Sequence, residues 1–243
     1  MKFKEFGRKE QPTIVILHGD GLSWWSLADA VRLLEADYHV VTPIIDGHGE
    51  DASTPFISIQ DSAQKVIRYI DENNSGSVFA VSGVSLGAQI VVEILSQRAG
   101  IAKYAIMESP LVVPSKRPDR FMALSCRLMR WKWYAKLKAR EYFIRKNQFL
   151  QYFNDIRSMT RDSCFSIAAG SAGYTASESL KNTTANVVII FGTKEIKKMD
   201  PSIRRLISIL PKARLCILPG MRRGEFSLAH SAEYSSLIRH MAK

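Results

Sequence analysis

The pattern Gly83-Val84-Ser85-Leu86-Gly87 is the feature of this sequence with the clearest chemical meaning. An apolar run at 78–82 precedes it and a helix-compatible stretch at 88–98 follows it, so the serine stands at a strand-to-helix turn. Such a turn is so sharp that small residues are needed two places on either side of the serine. It exposes the Ser85 hydroxyl as a nucleophile beside the free N–H groups of the following helix. A glycine-rich turn without chemistry in a parallel α/β protein is the alternative interpretation.

A second loop, Leu17-His18-Gly19-Asp20-Gly21, follows the first apolar run at 13–17. A hydrolase places its second oxyanion donor there, so we predict that the backbone N–H groups of Asp20 and Leu86 form an oxyanion hole. His18 itself is interpreted as a structural hydrogen-bonding residue beneath the site.

A carboxylate that orients a catalytic base is expected just past the apolar run at 187–191. Glu195, in Gly192-Thr193-Lys194-Glu195, is the first one available. Asp200 is the reserve candidate, although its place before Pro201 is typical of a helix N-cap. Glu108, at the end of the preceding predicted strand, is a third candidate.

Asp46-Gly47-His48-Gly49 predicts a tight loop in which Asp46 and His48 bond local backbone. Two candidate ligands without further clustering do not make a metal site. We therefore expect no metal, and we expect no cofactor.

The elements that must position these residues alternate between short apolar runs and amphipathic segments, as a parallel sheet covered by helices requires. Strands are predicted at 13–17, 40–43, 78–82, 104–108, 187–191 and 214–218. Helices are predicted at 23–36, 58–73, 86–99, 201–209 and 226–241. The predicted fold class is α/β, with a mostly parallel central sheet and helices on both faces.

The interval 111–186 interrupts this alternation, because it is too long for a loop and lacks a clear strand. We predict a core formed by residues 1–110 and 187–243, with 111–186 inserted as a helical lid. From 114 to 162 the lid holds thirteen Lys or Arg against four acids, which is +9 of the formal net charge of +11. Interleaved aromatic residues make an anionic ligand or an acidic membrane surface a possible partner. A solvated basic helix face is the favoured alternative, and no specific nucleic acid is expected, because no recognised binding motif accompanies the charge.

The composition is that of an ordinary globular protein, with 46% hydrophobic and 23% charged residues. No signal peptide or membrane-spanning run is recognised, so a soluble cytoplasmic protein is expected. Cys126, Cys164 and Cys216 are odd in number and widely spaced, which predicts three reduced thiols.

Taken in order, these motifs resemble those of the α/β-hydrolase superfamily, and more narrowly its small lidded lysophospholipase, monoacylglycerol lipase and esterase-like members. The residues that carry the resemblance run from the His18-Gly19 loop through Asp46-Gly47-His48-Gly49, the Ser85 turn and Gly192-Thr193-Lys194-Glu195 to Pro219-Gly220. The resemblance implies a triad of serine, acid and histidine, with Ser85 as nucleophile and Glu195 as acid. It also implies a small ester or acyl compound as substrate.

The sequence departs from this family at the histidine, because Arg223 stands in the turn where it is expected, in Gly220-Met221-Arg222-Arg223-Gly224-Glu225. A guanidinium cannot accept a proton near neutral pH. His230 is the nearby substitute, and it reaches Ser85 only if 221–228 forms an extended loop instead of starting the last helix. Two functions therefore remain open: a serine esterase that forms an acyl-enzyme on Ser85 with His230 as base, or a ligand-binding or regulatory module that has lost its base.

Overall fold

The computed structural model describes residues 1–115 and 119–241, and within them seven strands form one sheet in the order β1-β3-β2-β4-β5-β6-β7. The strands are β1 (Lys2–Phe6), β2 (Thr13–Leu17), β3 (His39–Ile44), β4 (Val78–Val84), β5 (Ala102–Glu108), β6 (Asn186–Gly192) and β7 (Arg214–Leu218). Neighbouring strands are parallel except β1, which is antiparallel to β3. The predicted α/β fold class is confirmed, and all six predicted strands are present.

Helices cover this sheet: α1 (Ala28–Leu34), α2 (Ile59–Asn73), α3 (Leu86–Gln97), α4 (Asp119–Leu128), α5 (Lys132–Glu141), α6 (Phe149–Ser158), α7 (Arg161–Gly173), α8 (Ile196–Ile209), α9 (Glu225–Ala229) and α10 (Ser231–His240). The predicted first helix is divided into a 3₁₀ turn, Trp24–Leu27, and α1. The predicted last helix is divided at His230 into α9 and α10.

The interpretation of Asp200 as a helix N-cap is wrong. Helix α8 begins at Ile196, with Glu195 as its N-cap, so both Asp200 and Pro201 lie inside it. Asp200 instead accepts a hydrogen bond from Arg204 Nε at 2.8 Å, one helical turn away. Proline is common in the first turn of a helix and is usually avoided in the interior. The prediction failed because α8 tolerates Pro201 in its interior.

The core lies on both faces of the sheet, because successive side chains of a strand point to opposite faces. In β2, Val15 and Leu17 join a cluster with residues of α2, α3 and α8, whereas Ile14 and Ile16 join a second cluster with residues of α1 and α10. Strands buried on both faces read as continuous apolar runs, which is why they were visible in the sequence.

Residues 111–186, which we call the inserted segment, run from just after β5 to the first residue of β6 and carry α4 to α7. The segment is tied to α3 by polar contacts: Gln89 Nε2 donates to the carbonyls of Leu111 at 2.6 Å and Ser171 at 2.8 Å, and the Tyr174 hydroxyl donates to Glu93 at 2.9 Å. Its function as a lid stays a prediction.

Cys126 in α4 and Cys164 in α7 form a disulfide, with a Cα–Cα distance of 6.0 Å that is usual for such a bond. The prediction of three reduced thiols is therefore wrong for this pair, whereas Cys216 is free. The two cysteines are 38 residues apart and meet only because α4 and α7 pack together. Their spacing in the sequence does not reveal this packing. The expected cytoplasmic location stays a prediction, and disulfides are rare in that compartment.

Among the described residues, no helix combines the length and the apolar character needed to cross a bilayer. Nor do any three metal-ligating side chains in this part of the chain converge on a common point.

Candidate active site

Ser85 lies between the end of β4 and the start of α3, with φ +56° and ψ −111°. A positive φ is uncommon and strained for a residue that has a side chain. The two glycines of the motif are needed for close approach of the backbone. A Cβ on Gly87 would lie 2.5 Å from the Leu17 carbonyl oxygen, and one on Gly83 would clash with the backbone of Gly87. The sharp turn expected from the sequence is thus present in three dimensions.

The loop after β2 lies directly against Ser85, since a Cβ on Gly19 would be 3.6 Å from the Ser85 Cβ. Asp20 follows Gly19 in this loop, and Leu86 is the first residue of α3. The N–H of a first helical residue has no partner inside its own helix. The two predicted oxyanion donors therefore belong to segments that meet at Ser85.

His18 supports this loop from below. It is fully buried, its Nε2 accepts a hydrogen bond from the Ile45 N–H at 3.1 Å, and its Nδ1 lies 2.9 Å from the Gly19 carbonyl oxygen. Burial lowers the pKa of His18 to about 3, so the ring is neutral and donates from Nδ1. These contacts fit the structural role expected for it.

In the loop after β3, the side chain of Asp46 forms ion pairs with the Met1 ammonium at 2.6 Å and with Lys65 at 2.5 Å. Its expected bond to local backbone is replaced by these longer-range contacts. His48 does bond local backbone, through Nδ1 and the Asp46 carbonyl oxygen at 3.1 Å.

Glu195 lies at the end of β6, where the sequence placed the acid. Its side chain is buried, and Oε1 accepts hydrogen bonds from Ser109 Oγ at 2.5 Å and from the Gly192 N–H at 3.0 Å. Burial raises the pKa of Glu195, while the bond from Ser109 and the charge of Arg223 lower it. The carboxylate is therefore fixed in place beside a cation.

Ser109 was missed in the sequence. It follows β5 with φ +55° and is fully buried, and its N–H donates to the Ile190 carbonyl oxygen at 2.9 Å. Its position at the carboxyl end of the strand next to β4 was the available signal, because sites of parallel sheets lie at that edge.

Glu108, the third candidate acid, is used differently. Its two carboxylate oxygens accept hydrogen bonds from the backbone N–H groups of Phe226 and Ser227, each at 3.0 Å, in the first turn of α9. Burial, with a smaller contribution from the nearby charge of Glu195, raises the pKa of Glu108 to about 7 despite these bonds. Glu108 therefore anchors the segment that follows Arg223.

Arg223 lies in the turn between β7 and α9, and this turn is close to the serine. Gly224 has φ +72°, and a Cβ there would be 3.2 Å from the Val84 side chain, next to Ser85. Burial raises the pKa of both Glu195 and Tyr142, and the charge of Arg223 partly opposes this increase at each group. The guanidinium thus acts on the acid at the place where the family's histidine is expected.

His230 lies at the junction of α9 and α10. Its side chain is 37% exposed, and its Nδ1 is 3.9 Å from Glu233 Oε1. The extended loop that His230 needs to reach Ser85 is not formed, because α9 begins at Glu225. In the part of the chain that the structure describes, the hydrogen bonds of the histidines do not include one to Ser85.

A cavity of about 430 Å³ opens between the loop after β2 and the inserted segment. Asp20 and Gly21 form part of its wall, and the helices α4 to α7 supply most of the rest. Its lining is mixed: apolar side chains such as Met129, Ile156 and Met159, the cations Arg130, Lys138 and Arg161, and Tyr142. A space of this size suits a small organic molecule.

Comparisons with known proteins agree with this architecture. A family model described as the alpha/beta hydrolase family matches residues 14–225. No curated protein matches the chain.

Several solved structures share the fold at low sequence identity. The chain is similar to a carboxylesterase structure from the ammonia-oxidizing thaumarchaeon Nitrososphaera gargenis, with TM-score 0.80, 17% identity, and coverage of 99% of this chain and 93% of that one. The enol-lactonase from Burkholderia xenovorans LB400 gives TM-score 0.82 and 15% identity, covering 100% and 96%. A thermophilic esterase from Thermogutta terrifontis gives 0.75 and 13%, covering 99% and 92%. At these identities the likeness shows the fold alone, and the narrower resemblance to lidded lysophospholipases stays a prediction.

Proposed function

Because the chain belongs to the alpha/beta hydrolase family, we propose that it is a serine hydrolase that cleaves an ester or thioester slowly through an acyl-enzyme on Ser85. The observation that carries this proposal is the strained turn that holds Ser85 at φ +56° against the loop of Asp20. Strain of this kind persists where the surrounding structure over-determines it, as at catalytic nucleophiles.

In the proposed reaction the Ser85 oxygen bonds to the acyl carbon, and the N–H groups of Asp20 and Leu86 stabilise the negative charge on the carbonyl oxygen. The alcohol or thiol leaves with a proton, and water then releases the acid and restores the serine. The acyl group occupies the cavity of about 430 Å³ beside Asp20.

In the described part of the chain, no imidazole is hydrogen-bonded to Ser85 as an acceptor for its proton. Arg223 stays protonated. Glu195 accepts hydrogen bonds from Ser109 and Gly192 and lies within the electrostatic influence of Arg223. General-base assistance is typically worth about 10²–10⁴-fold in rate, so turnover should be slow by about this factor. His230 can act as the base only if α9 unwinds, since its ring now lies near Glu233.

A second candidate function is a module that binds a ligand without cleaving it. Arg223 favours this candidate, because its turn packs against Val84, next to the serine, and its guanidinium can bind an anion but cannot act as a base. The same argument makes a carboxylate the preferred ligand group.

Labelling with a fluorophosphonate separates the two functions, since an activated serine displaces the fluoride quickly and an inert serine does not. We expect slow labelling of the wild-type protein, none of Ser85→Ala, and labelling and p-nitrophenyl ester hydrolysis about 10²–10⁴-fold faster in Arg223→His. Arg222→His is the matched control on the same turn and should leave the rate unchanged.

The variant His230→Ala tests the assignment of the base. A neutral effect agrees with a site that lacks its imidazole. Loss of all hydrolysis in His230→Ala, with no gain in Arg223→His, would mean that α9 unwinds to deliver His230. No labelling of the wild type or of Arg223→His would leave the binding module as the function.

A further inference from the structure

Large apolar side chains are exposed on the inserted segment around the start of α5. Trp131 is 62% exposed, Trp133 59% and Leu137 55%, whereas Trp25, in the core, is buried. Exposed tryptophans in close sequence mark interaction surfaces, because burying an indole is strongly favourable.

Helix α5 separates these side chains from the protein core. Ala135 and Ala139 are buried on its inner side. Trp133 and Leu137 are one helical turn apart on the outer side. The exposed cations Lys132, Lys136 and Arg140 recur at the same four-residue spacing beside them. We call the exposed set Trp131, Lys132, Trp133, Lys136, Leu137 and Arg140 the basic face.

The charge of the basic face is not balanced locally. Within the described residues, Lys132, Lys136 and Arg140 form no ion pair, and Glu141, the acid of this helix, is paired with Lys138 at 2.6 Å. Three unpaired cations around two indoles and a leucine suit a partner that is both anionic and able to bury apolar groups.

We propose that the basic face binds the surface of bilayers that contain anionic phospholipids. Indole rings settle at the level of the headgroups, leucine reaches the acyl chains, and long basic side chains extend to the phosphates. Nucleic acid fits less well, because it would use the cations but leave Leu137 exposed to water. Lys138 of α5 and Tyr142, the residue that follows α5, line the cavity. The bound membrane would therefore lie against a helix that forms part of the cavity wall.

The test measures sedimentation of the whole protein with vesicles of phosphatidylcholine alone and of phosphatidylcholine mixed with phosphatidylglycerol. We expect binding to the mixed vesicles only, decreasing as salt rises, because exposed charges are screened beyond ~8 Å at physiological ionic strength. The triple variant Lys132→Gln, Lys136→Gln, Arg140→Gln should lower the partition coefficient about a hundredfold, at the usual contribution of a surface cation.

Two matched variants make the result specific. The triple variant Lys197→Gln, Lys198→Gln, Lys212→Gln removes the same charge from exposed positions outside the inserted segment. It should bind the vesicles as the wild type does. The double variant Trp133→Ser, Leu137→Ser keeps the charge and should also lose most of the binding. All the replaced side chains are exposed, and an unchanged thermal midpoint confirms that each variant folds.

Insertion is read separately from the tryptophan fluorescence. Phosphatidylcholine brominated in its acyl chains, mixed with phosphatidylglycerol, should quench the wild type more than Trp133→Phe. The proposal would be overturned if both triple variants lost vesicle binding to the same extent. It would also be overturned if the wild type did not bind mixed vesicles at low salt. Binding to an oligonucleotide that depends on the three cations, together with vesicle binding that does not depend on Trp133 and Leu137, would overturn it as well.

Discussion

Replacing Glu108 by glutamine should remove a large part of the pH dependence of this protein's stability. The carboxyl group is buried, and its pKa is raised from the ordinary 4.5 to about 7, first by burial and then by the charge of Glu195. In the unfolded chain the group is in water and titrates near its ordinary value. Between these two pH values the folded protein binds more protons than the unfolded chain, so its stability decreases as pH rises.

The magnitude follows from the two pKa values. The difference between 4.5 and about 7 corresponds to roughly 3 kcal/mol in the free energy of unfolding. About 2 kcal/mol of this is lost between pH 5 and pH 8, and the rest at lower pH. Glutamine cannot ionise, so it removes the pH dependence of this site. Its NH₂ group cannot accept the second hydrogen bond from α9, so Glu108→Gln should also be less stable than the wild type at every pH, by about 1–3 kcal/mol.

The assay is urea unfolding of wild type and Glu108→Gln at pH 5 and pH 8. From pH 5 to pH 8 the unfolding free energy of the wild type should decrease by about 2 kcal/mol more than that of Glu108→Gln. Glu72→Gln, at an exposed position of α2, removes one carboxylate without burial and should behave as the wild type does. Equal pH dependence in wild type and Glu108→Gln would refute the assignment of a raised pKa to Glu108.

Three further outcomes are expected. Ser85→Ala should abolish the hydrolysis of p-nitrophenyl esters while the thermal midpoint stays nearly constant, and retained turnover would exclude this serine as nucleophile. Gly87→Ala should lower the unfolding free energy by about 1–3 kcal/mol, because its Cβ would meet backbone at 2.5 Å; Gly173→Ala, with nothing within 4 Å, is the control and should have little effect. Under denaturing, non-reducing conditions a thiol reagent should label one cysteine per chain, and labelling of three cysteines would contradict the disulfide. Cys126→Ser, which breaks the bond to Cys164, should lower the unfolding free energy by roughly 2–4 kcal/mol.

The features recovered from the sequence are those whose cause is local. The strands buried on both faces of a parallel sheet are continuous apolar runs, and the turn at Ser85 requires glycines at fixed spacing. Strand β1 was missed because it is a short edge strand of alternating charge and phenylalanine, and it is defined by its pairing with β3. The start of α8 was missed because Pro201 was given more weight than the helix that surrounds it.

The partners of charged groups were beyond the reach of the sequence. Glu108 and Glu195 both follow strands, yet one binds the backbone of α9 and the other is held by Ser109 beside Arg223. Nothing in their neighbouring residues distinguishes the two roles. The distinction depends on which segment is brought to each carboxylate from more than eighty positions away along the chain.

The sequence by itself determined the strands from β2 to β7, the turn at Ser85 and the arginine at position 223, since periodicity and spacing are properties of neighbouring residues. Only the tertiary structure decided that Cys126 bonds to Cys164, that His230 lies at the junction of α9 and α10 near Glu233, and that the indoles of the inserted segment face water. These facts depend on how helices pack against one another. Packing is fixed by contacts between residues distant in sequence, and a single sequence does not specify which of them meet.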